Sequence, residues 1–194
     1  MFEPIGEIIV TSTSEITGQC RREWPIFEYG SLIAAGSPTG CIGIVYNVET
    51  TSIDPNRRPV ALERSEGELE RCFPHLKSLL RNQFQALLIG SMKNERFYYG
   101  LPATPPNLHA QVRLCTEEEI REIGEQPGFL RLVHDSGKSS SEELILSCCQ
   151  HLLNALGWRD EHTIRIGKAL SELYRDDYDT LRRLISRLEL WLNR

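Results

Sequence analysis

The sequence lacks the features that would place a protein across a membrane or in the secretory pathway. No uninterrupted apolar segment approaches the ~20 residues that span a bilayer. The first twenty residues have no basic leader followed by a long apolar run, so we expect no signal peptide. We therefore expect a cytoplasmic protein with no membrane insertion.

The chain also lacks the cysteine pattern of a disulfide or zinc framework. Its six cysteines are spread over 194 residues, and no Cys-x-x-Cys pair occurs. Cys148, Cys149 and His151 lie close together on one predicted helix, but structural zinc requires four such ligands. Free thiols on the apolar face of a helix are common in protein cores. We expect reduced cysteines, no metal and no cofactor.

Basic residues are outnumbered, and no catalytic motif stands out. The chain has 27 acidic and 22 basic residues and a formal net charge of −5, so it does not attract nucleic acid or an anionic membrane as a whole. We find no G-x-S-x-G motif and no Cys–His pairing for nucleophilic catalysis. We therefore expect a protein that is not an enzyme and does not bind nucleic acid.

The first half of the chain predicts short strands separated by glycines. Ile5 to Val10 is an apolar run, and three further strand patterns follow: WPIFEYG, SLIAAGS and CIGIVYNVET. Strands this short favour a small closed antiparallel barrel, because closure removes their exposed edges. Gly43 lies inside the last pattern and predicts a bulge or a tight corner.

The middle of the chain predicts a loop, a distorted helix, further strands and a capped helix. Residues 52–68 are polar and proline-bearing, and the helical spacing from Leu69 to Leu80 is interrupted by Pro74. Two strands around a turn at KNE, and a last short strand, are predicted by FQALLIGSM, RFYYGL and QVRLC. TEEEIREIG predicts a helix that begins after Thr116 and ends at a glycine.

After residue 138 the apolar residues recur at the spacing of an α-helix. Three short amphipathic helices are predicted by SSSEELILSCCQHLLNALG, DEHTIRIGKALSELY and DYDTLRRLISRLELWL. Short helices of this kind require packing partners. We predict an α+β protein with a β-barrel domain at 1–124, a linker at 125–138 and an α-helical domain of about three helices at 139–194.

A nucleotide site at Gly137, Lys138 and Ser139 is one alternative for the start of the helical part. Apolar residues precede these three and a helical pattern follows them, as in a phosphate-binding loop. However, Leu132 occupies the position of the first glycine of such a loop, and no later strand ends in an acidic magnesium ligand. The serines and the two glutamates that follow predict a capping box instead.

The final helix carries more apolar residues than a surface helix needs. Leu188, Leu190, Trp191 and Leu192 cover both its apolar stripe and the flank of that stripe. Large apolar side chains in such a group often anchor a partner protein. We take these four residues as a candidate interaction surface, with docking onto the barrel as the alternative.

Four segments of the chain carry a resemblance to a known family. They are IGEIIVTSTSEITGQC, FEYGSLIAAG, GCIGIVYNVET and, further on, LPATPPNLHAQVRLCTEEEI. Together, over roughly residues 5–123, they resemble the HAS-barrel, the small β-barrel at the N-terminus of HerA-type ATPases and of ring ATP synthase subunits. The arginine expected beside the proline pair is missing, since Leu101 and Ala103 flank Pro102.

The resemblance implies a barrel that assembles rather than catalyses. In that family the barrel rings one end of a hexamer, and an ATPase core follows it in sequence. Here the residues after position 138 predict helices in place of that core. We therefore expect a non-enzymatic module for protein–protein interaction or self-association, such as an oligomerisation module or an adaptor. A degenerate nucleotide-binding protein and a nucleic-acid-binding barrel are the alternatives.

Overall fold

Seven antiparallel strands build the first part of the structure. A computed structural model describes residues 4–21, 26–36, 40–54, 56, 60–138 and 140–192. Its strands are β1 (Gly6–Thr11), β2 (Glu15–Cys20), β3 (Leu32–Ala35), β4 (Cys41–Ser52), β5 (Leu80–Lys93), β6 (Arg96–Tyr99) and β7 (Gln111–Leu114).

Six of these strands close into the predicted barrel. The order is β2-β1-β7-β3-β4-β5, and β5 returns to pair with β2. The long strand β5 pairs with β2 through residues 83–87 and with β6 through residues 90–93. Strand β6 is not part of the closed barrel. It pairs with the far end of β5 and extends the sheet beyond the point of closure. The fold class of the sequence prediction, a closed antiparallel barrel followed by helices, is confirmed.

The barrel interior is filled around one aromatic ring. Phe84 is fully buried, and its ring centroid lies 4.6 Å from that of Phe27 in an edge-to-face arrangement. The ring fits because two neighbouring strands present glycines to it. A Cβ on Gly18 would lie 2.2 Å from the Phe84 ring, and one on Gly6 would lie 2.9 Å from it. These glycines make room for a large side chain in a narrow barrel.

One side of the barrel is buried on both faces. On β3, Ile33 and Ala35 point into the barrel interior, whereas Leu32 and Ala34 belong to the core shared with the helices. The same alternation continues on β4 and β5. Strands that are covered on both faces have continuous apolar sequences, which is why LIAA in β3 and CIGIV at the start of β4 contain no polar residue.

Local features of the strands follow several of the sequence predictions. The pairing register shifts between Ile42 and Gly43, which confirms the predicted bulge. The turn predicted at KNE joins β5 to β6 through Asn94 and Glu95, both with positive φ, as a two-residue hairpin requires. The prediction of a strand at WPIFEYG is wrong where it is described. Residues 26–28 are irregular, and residues 29–30 form a turn.

The described chain also contains six α-helices, one between β4 and β5 and five after β7. They are α1 (Glu66–Cys72), α2 (Glu117–Glu125), α3 (Leu130–Asp135), α4 (Ser141–Leu156), α5 (Asp160–Leu173) and α6 (Tyr178–Leu192), with 3₁₀ turns at Leu76–Leu79 and Pro127–Phe129. The three predicted C-terminal helices are confirmed. The helix expected from Leu69 to Leu80 is broken near Pro74 into α1 and a 3₁₀ turn.

Thr116 caps α2 as predicted. Its hydroxyl accepts a hydrogen bond from the Glu119 amide, while the Glu119 carboxylate accepts one from the Thr116 amide. The helix does not end at Gly124, which was predicted to close it, but continues to Glu125. Gly124 is buried instead against Leu156 of α4, where a Cβ would lie 2.7 Å from the leucine side chain.

Helix α4 lies at the centre of the helical layer and joins it to the barrel. Seven of its residues are buried: Leu144, Ile145, Leu146, Cys148, Cys149, Leu152 and Leu153. They share one hydrophobic core with the outer face of the barrel. The predicted linker at 125–138 contains a 3₁₀ turn and α3, and its Phe129, Leu130 and Val133 are buried in this same core. This stretch is packed structure rather than an open connection. None of the described helices is long and apolar enough to cross a bilayer.

Candidate functional site

Lys138 lies where the helical layer meets the barrel wall. Its ammonium group is 2.6 Å from a carboxylate oxygen of Glu15 on β2 and 3.1 Å from the hydroxyl oxygen of Tyr46 on β4. The Tyr46 hydroxyl donates to the same Glu15 oxygen at 2.8 Å. The ammonium also lies 4.3 Å from the centroid of the Tyr46 ring. A cavity of about 380 Å³ adjoins this cluster.

The charges of the cluster are mutually stabilised. The hydrogen bond from Lys138 is the main reason that the pKa of Glu15 is lowered, and the bond from Tyr46 adds to it. The hydrogen bond to Glu15 in turn raises the pKa of Lys138. Burial is the main reason that the pKa of Tyr46 is raised. The lysine is thus a cation held by the protein's own carboxylate, connecting β2 and β4 to the segment before α4.

This arrangement gives the nucleotide alternative no support. The apolar residues before Ser136 form helix α3 rather than the strand that leads into a phosphate loop. Gly137 adopts φ +67 in an exposed turn, and Lys138 is committed to Glu15. Ser139, the third residue of the candidate site, lies outside the described residues.

We expect replacement of Lys138 with methionine to lower stability slightly and in a pH-dependent way. Both side chains of the ion pair are partly exposed, 32% for Lys138 and 43% for Glu15, so the loss at neutral pH should stay below about 1 kcal/mol. Because the pKa of Glu15 is lower in the folded protein, the pair stabilises the fold at pH values above the ordinary pKa of 4.5. This contribution disappears as the pH falls through the lowered pKa of the folded protein.

Urea unfolding of the wild type and Lys138→Met at a series of pH values measures this effect. The two proteins should differ at neutral pH and converge in acid. Lys168→Met, which changes an exposed lysine on α5, serves as the matched control and should leave stability unchanged at every pH. A loss that is the same at all pH values would show that Lys138 acts through packing rather than charge.

The glutamates at the start of α4 do not form the predicted capping box. Ser140 is the N-cap residue, but its side chain makes no capping hydrogen bond. Glu142 pairs with Arg183, and Glu143 pairs through both oxygens with Arg187, both of them arginines on α6. The hydrogen bond from Arg187 is the main reason that the pKa of Glu143 is lowered. Arg183 and Arg187 therefore attach α6 to α4.

The cysteines of α4 and their neighbouring histidine point in different directions. Cys148 and Cys149 are fully buried, and burial raises the pKa of Cys149 to about 12. The ring Nε2 of His151 lies instead 3.1 Å from the Tyr29 carbonyl oxygen. Throughout the described part of the chain, no group of three or more His, Cys, Asp or Glu residues is placed to hold a metal ion. The two thiols serve as small apolar core residues.

The interaction surface predicted on the final helix is largely internal. Leu188 is buried, and Trp191 packs half-buried against the shared core. Leu190 is exposed, whereas the Leu192 side chain lies outside the described residues. The prediction is wrong for Leu188, because α6 packs against α4 and α5 and uses its apolar stripe for that purpose.

A different segment exposes apolar side chains. We call residues 53–79, between β4 and β5, the arm; of these, 53–54, 56 and 60–79 are described. Five large apolar side chains of the arm are exposed: Ile53 (38%), Val60 (75%), Leu62 (38%), Phe73 (44%) and Leu79 (55%). Residues 52–68 were predicted to be a polar loop and Leu69 to Leu80 a distorted helix, and the apolar residues within this charged sequence were the available signal. None of the described side chains of helix α1, within the arm, belongs to either buried core cluster.

The base of the arm presents an unpaired strand edge. Strand β4 pairs with β3 only through residues 41–44, whereas its pairing with β5 continues to Ser52. The amide of Ile53 donates to the Leu79 carbonyl, and hydrogen bonding alternates along an antiparallel pair. Counting back from Ile53, the backbone groups of Val48, Thr50 and Ser52 point away from β5. Within the described chain, no strand pairs with this edge.

No protein-family model and no curated protein matches this chain.

Proposed function

We propose that this protein is a non-enzymatic oligomerisation module whose arm and free β4 edge bind a second copy of the same chain. The observation that carries the proposal is the exposure of five large apolar side chains on one segment between two strands of the barrel. Isolated exposed apolar residues are ordinary, but several on one segment are typical of an interaction surface. Burial of this surface against a partner would supply the binding free energy.

The free edge of β4 favours a copy of the chain as the partner. In a two-fold dimer the same segment of both chains meets antiparallel, which is the geometry that adds strands across an edge. Thr50 and Thr51 have β-branched side chains that suit a paired strand, as does Val48. The resemblance to HAS-barrels, which assemble into rings, supports self-association as well.

The molar mass in solution tests this proposal. We expect light scattering after size exclusion to give a multiple of 22.2 kDa for the wild-type chain, with a concentration-dependent return to the monomer. Thr50→Pro should shift the equilibrium toward monomer, because it removes an outward N–H while leaving the backbone hydrogen bonds to β5 in place. The bond from the Thr50 hydroxyl to Asn82 on β5 is lost in this variant and in Thr50→Val alike. Val60→Ser combined with Phe73→Ser should do the same by removing apolar contact.

Matched controls separate the interface from general effects. Thr50→Val keeps the N–H and the β-branched shape, so its mass should equal that of the wild type. Leu190→Ser removes an equally exposed leucine from α6 and should also leave the mass unchanged. A wild-type chain that stays monomeric at the highest attainable concentration contradicts the proposal, and so does a Thr50→Pro variant that associates like the wild type.

A further inference from the structure

A second cleft opens at one end of the barrel, remote from the arm. It has a volume of about 860 Å³, within the range of about 300–1,000 Å³ that small-molecule sites occupy. Its walls are the end of β3, the start of β4 and β7 on one side, and the proline-bearing segment 102–110 on the other.

The basic side chains of this cleft have no acidic counterpart in its lining. The described lining contains Lys93, His109 and Arg113 but no aspartate or glutamate, although acidic residues outnumber basic ones in the chain as a whole. Such a lining favours an anionic ligand at a basic side chain that is not already paired, because the low-dielectric walls of a cleft focus the field.

One of the three basic side chains is available to a ligand. Arg113 donates two hydrogen bonds of 2.7 Å to the carboxylate of Glu119, and His109 lies 2.5 Å from a carboxylate oxygen of Glu7. The Lys93 side chain is exposed at the end of β5 and forms no ion pair with the rest of the described chain. The cleft therefore offers one unpaired cation, a lysine ammonium with three donors.

Part of the remaining lining is suited to an apolar group. Pro102 and Pro105 contribute ring faces of fixed conformation, and Leu108 is exposed at 53%. A rigid apolar wall beside a single cation matches a molecule that has an apolar body and one negative charge. A phosphate monoester carries about −1.5 to −2 at neutral pH, which exceeds the charge that Lys93 can balance.

We infer that this cleft binds a small organic monocarboxylate, with its carboxylate at Lys93 and its apolar body against the proline wall. The carboxylate comes from a free organic acid or from the C-terminus of a peptide, and both carry the same chemistry to Lys93. This inference is independent of the oligomeric state of the chain.

Two-dimensional NMR of the full chain tests the inference with defined probes. Benzoate and an N-acetylated dipeptide with a free C-terminus represent the two sources, and benzamide is the neutral isostere. We expect benzoate or the dipeptide to shift the resonances of Lys93, Gln111 and Arg113, with benzamide leaving them unchanged. Added salt should weaken the binding, because the contact is charged and partly exposed.

Substitutions at Lys93 assign the contact. Lys93→Gln should weaken binding about tenfold, in line with the loss of one charge-assisted hydrogen bond, whereas Lys93→Arg should retain it and Lys168→Gln should have no effect. Equal shifts with benzamide, no shift with either carboxylate at saturating concentration, or wild-type affinity in Lys93→Gln would each overturn the inference. Tighter binding of phenyl phosphate than of benzoate would overturn the assignment to a monocarboxylate.

Discussion

Phe84→Ala is expected to lower the free energy of unfolding by about 3–5 kcal/mol, the range for truncation of a fully buried phenylalanine. The ring is fully buried at the centre of the barrel and is surrounded by neighbours adapted to its shape. Gly18 has no side chain to move into the cavity, and Phe27 would lose its edge-to-face partner. The cavity would therefore stay largely unfilled, which places the cost toward the upper part of the range.

Urea unfolding followed by circular dichroism measures this loss, and Tyr178→Ala is the matched control. Truncation of Tyr178 on α6, outside the proposed interface, removes an aromatic ring that is already 70% exposed, so the change should be within about 0.5 kcal/mol. A smaller loss at Phe84 than at Tyr178 would show that the barrel is not packed around this ring.

Gly30→Ala is expected to destabilise the contact between the barrel and the helical layer by about 2–5 kcal/mol. Gly30 has φ +80, where an alanine costs about 1–2 kcal/mol in backbone strain. Its new Cβ would also lie 2.4 Å from the hydroxyl oxygen of Ser147 and 2.9 Å from that residue's backbone carbon. Because the obstacle includes the backbone of α4, relief requires the helix to move, and overpacking of this kind costs about 1–3 kcal/mol.

Gly36→Ala separates the two contributions to this loss. Gly36 has φ +78, nearly the same as Gly30, but among the described residues that are not its chain neighbours no atom lies within 4 Å of its added Cβ. Its substitution should cost only the strain of about 1–2 kcal/mol. The difference between the two variants in chemical denaturation measures the clash with α4. Equal losses at Gly30 and Gly36 would show that α4 does not press against this turn.

The fold was predictable where its cause lies within a few residues along the chain. The bulge at Gly43, the turn after Lys93 and the cap at Thr116 each depend on the conformation or side chain of near neighbours. Strand β2 was not predicted as a separate element, because Glu15–Cys20 contains mostly polar residues and a glycine. Its pairing with both β1 and β5 determines that it is a strand.

The candidate sites were predictable only in part, because their partners are distant in sequence. Lys138 stood out as part of a glycine-lysine motif, but nothing near it indicates Glu15, which is 123 residues away. Glu143 was predicted to cap its own helix. It pairs instead with Arg187, which is 44 residues further along the chain. A bidentate arginine contact replaced the weaker local alternative once α6 had packed beside α4.

The sequence by itself determined the β-barrel followed by three helices. The spacing of apolar residues, the residue types in turns and the helix caps all depend on residues that are close together in the chain. Only the tertiary structure decided that Leu188 is internal and that the apolar residues of the arm and the Lys93 cleft are left open to solvent. Burial depends on which faces meet after the chain has folded. An apolar pattern indicates that a residue can be buried. The arrangement of the helices and strands decides whether that residue is buried within this protein or against a partner.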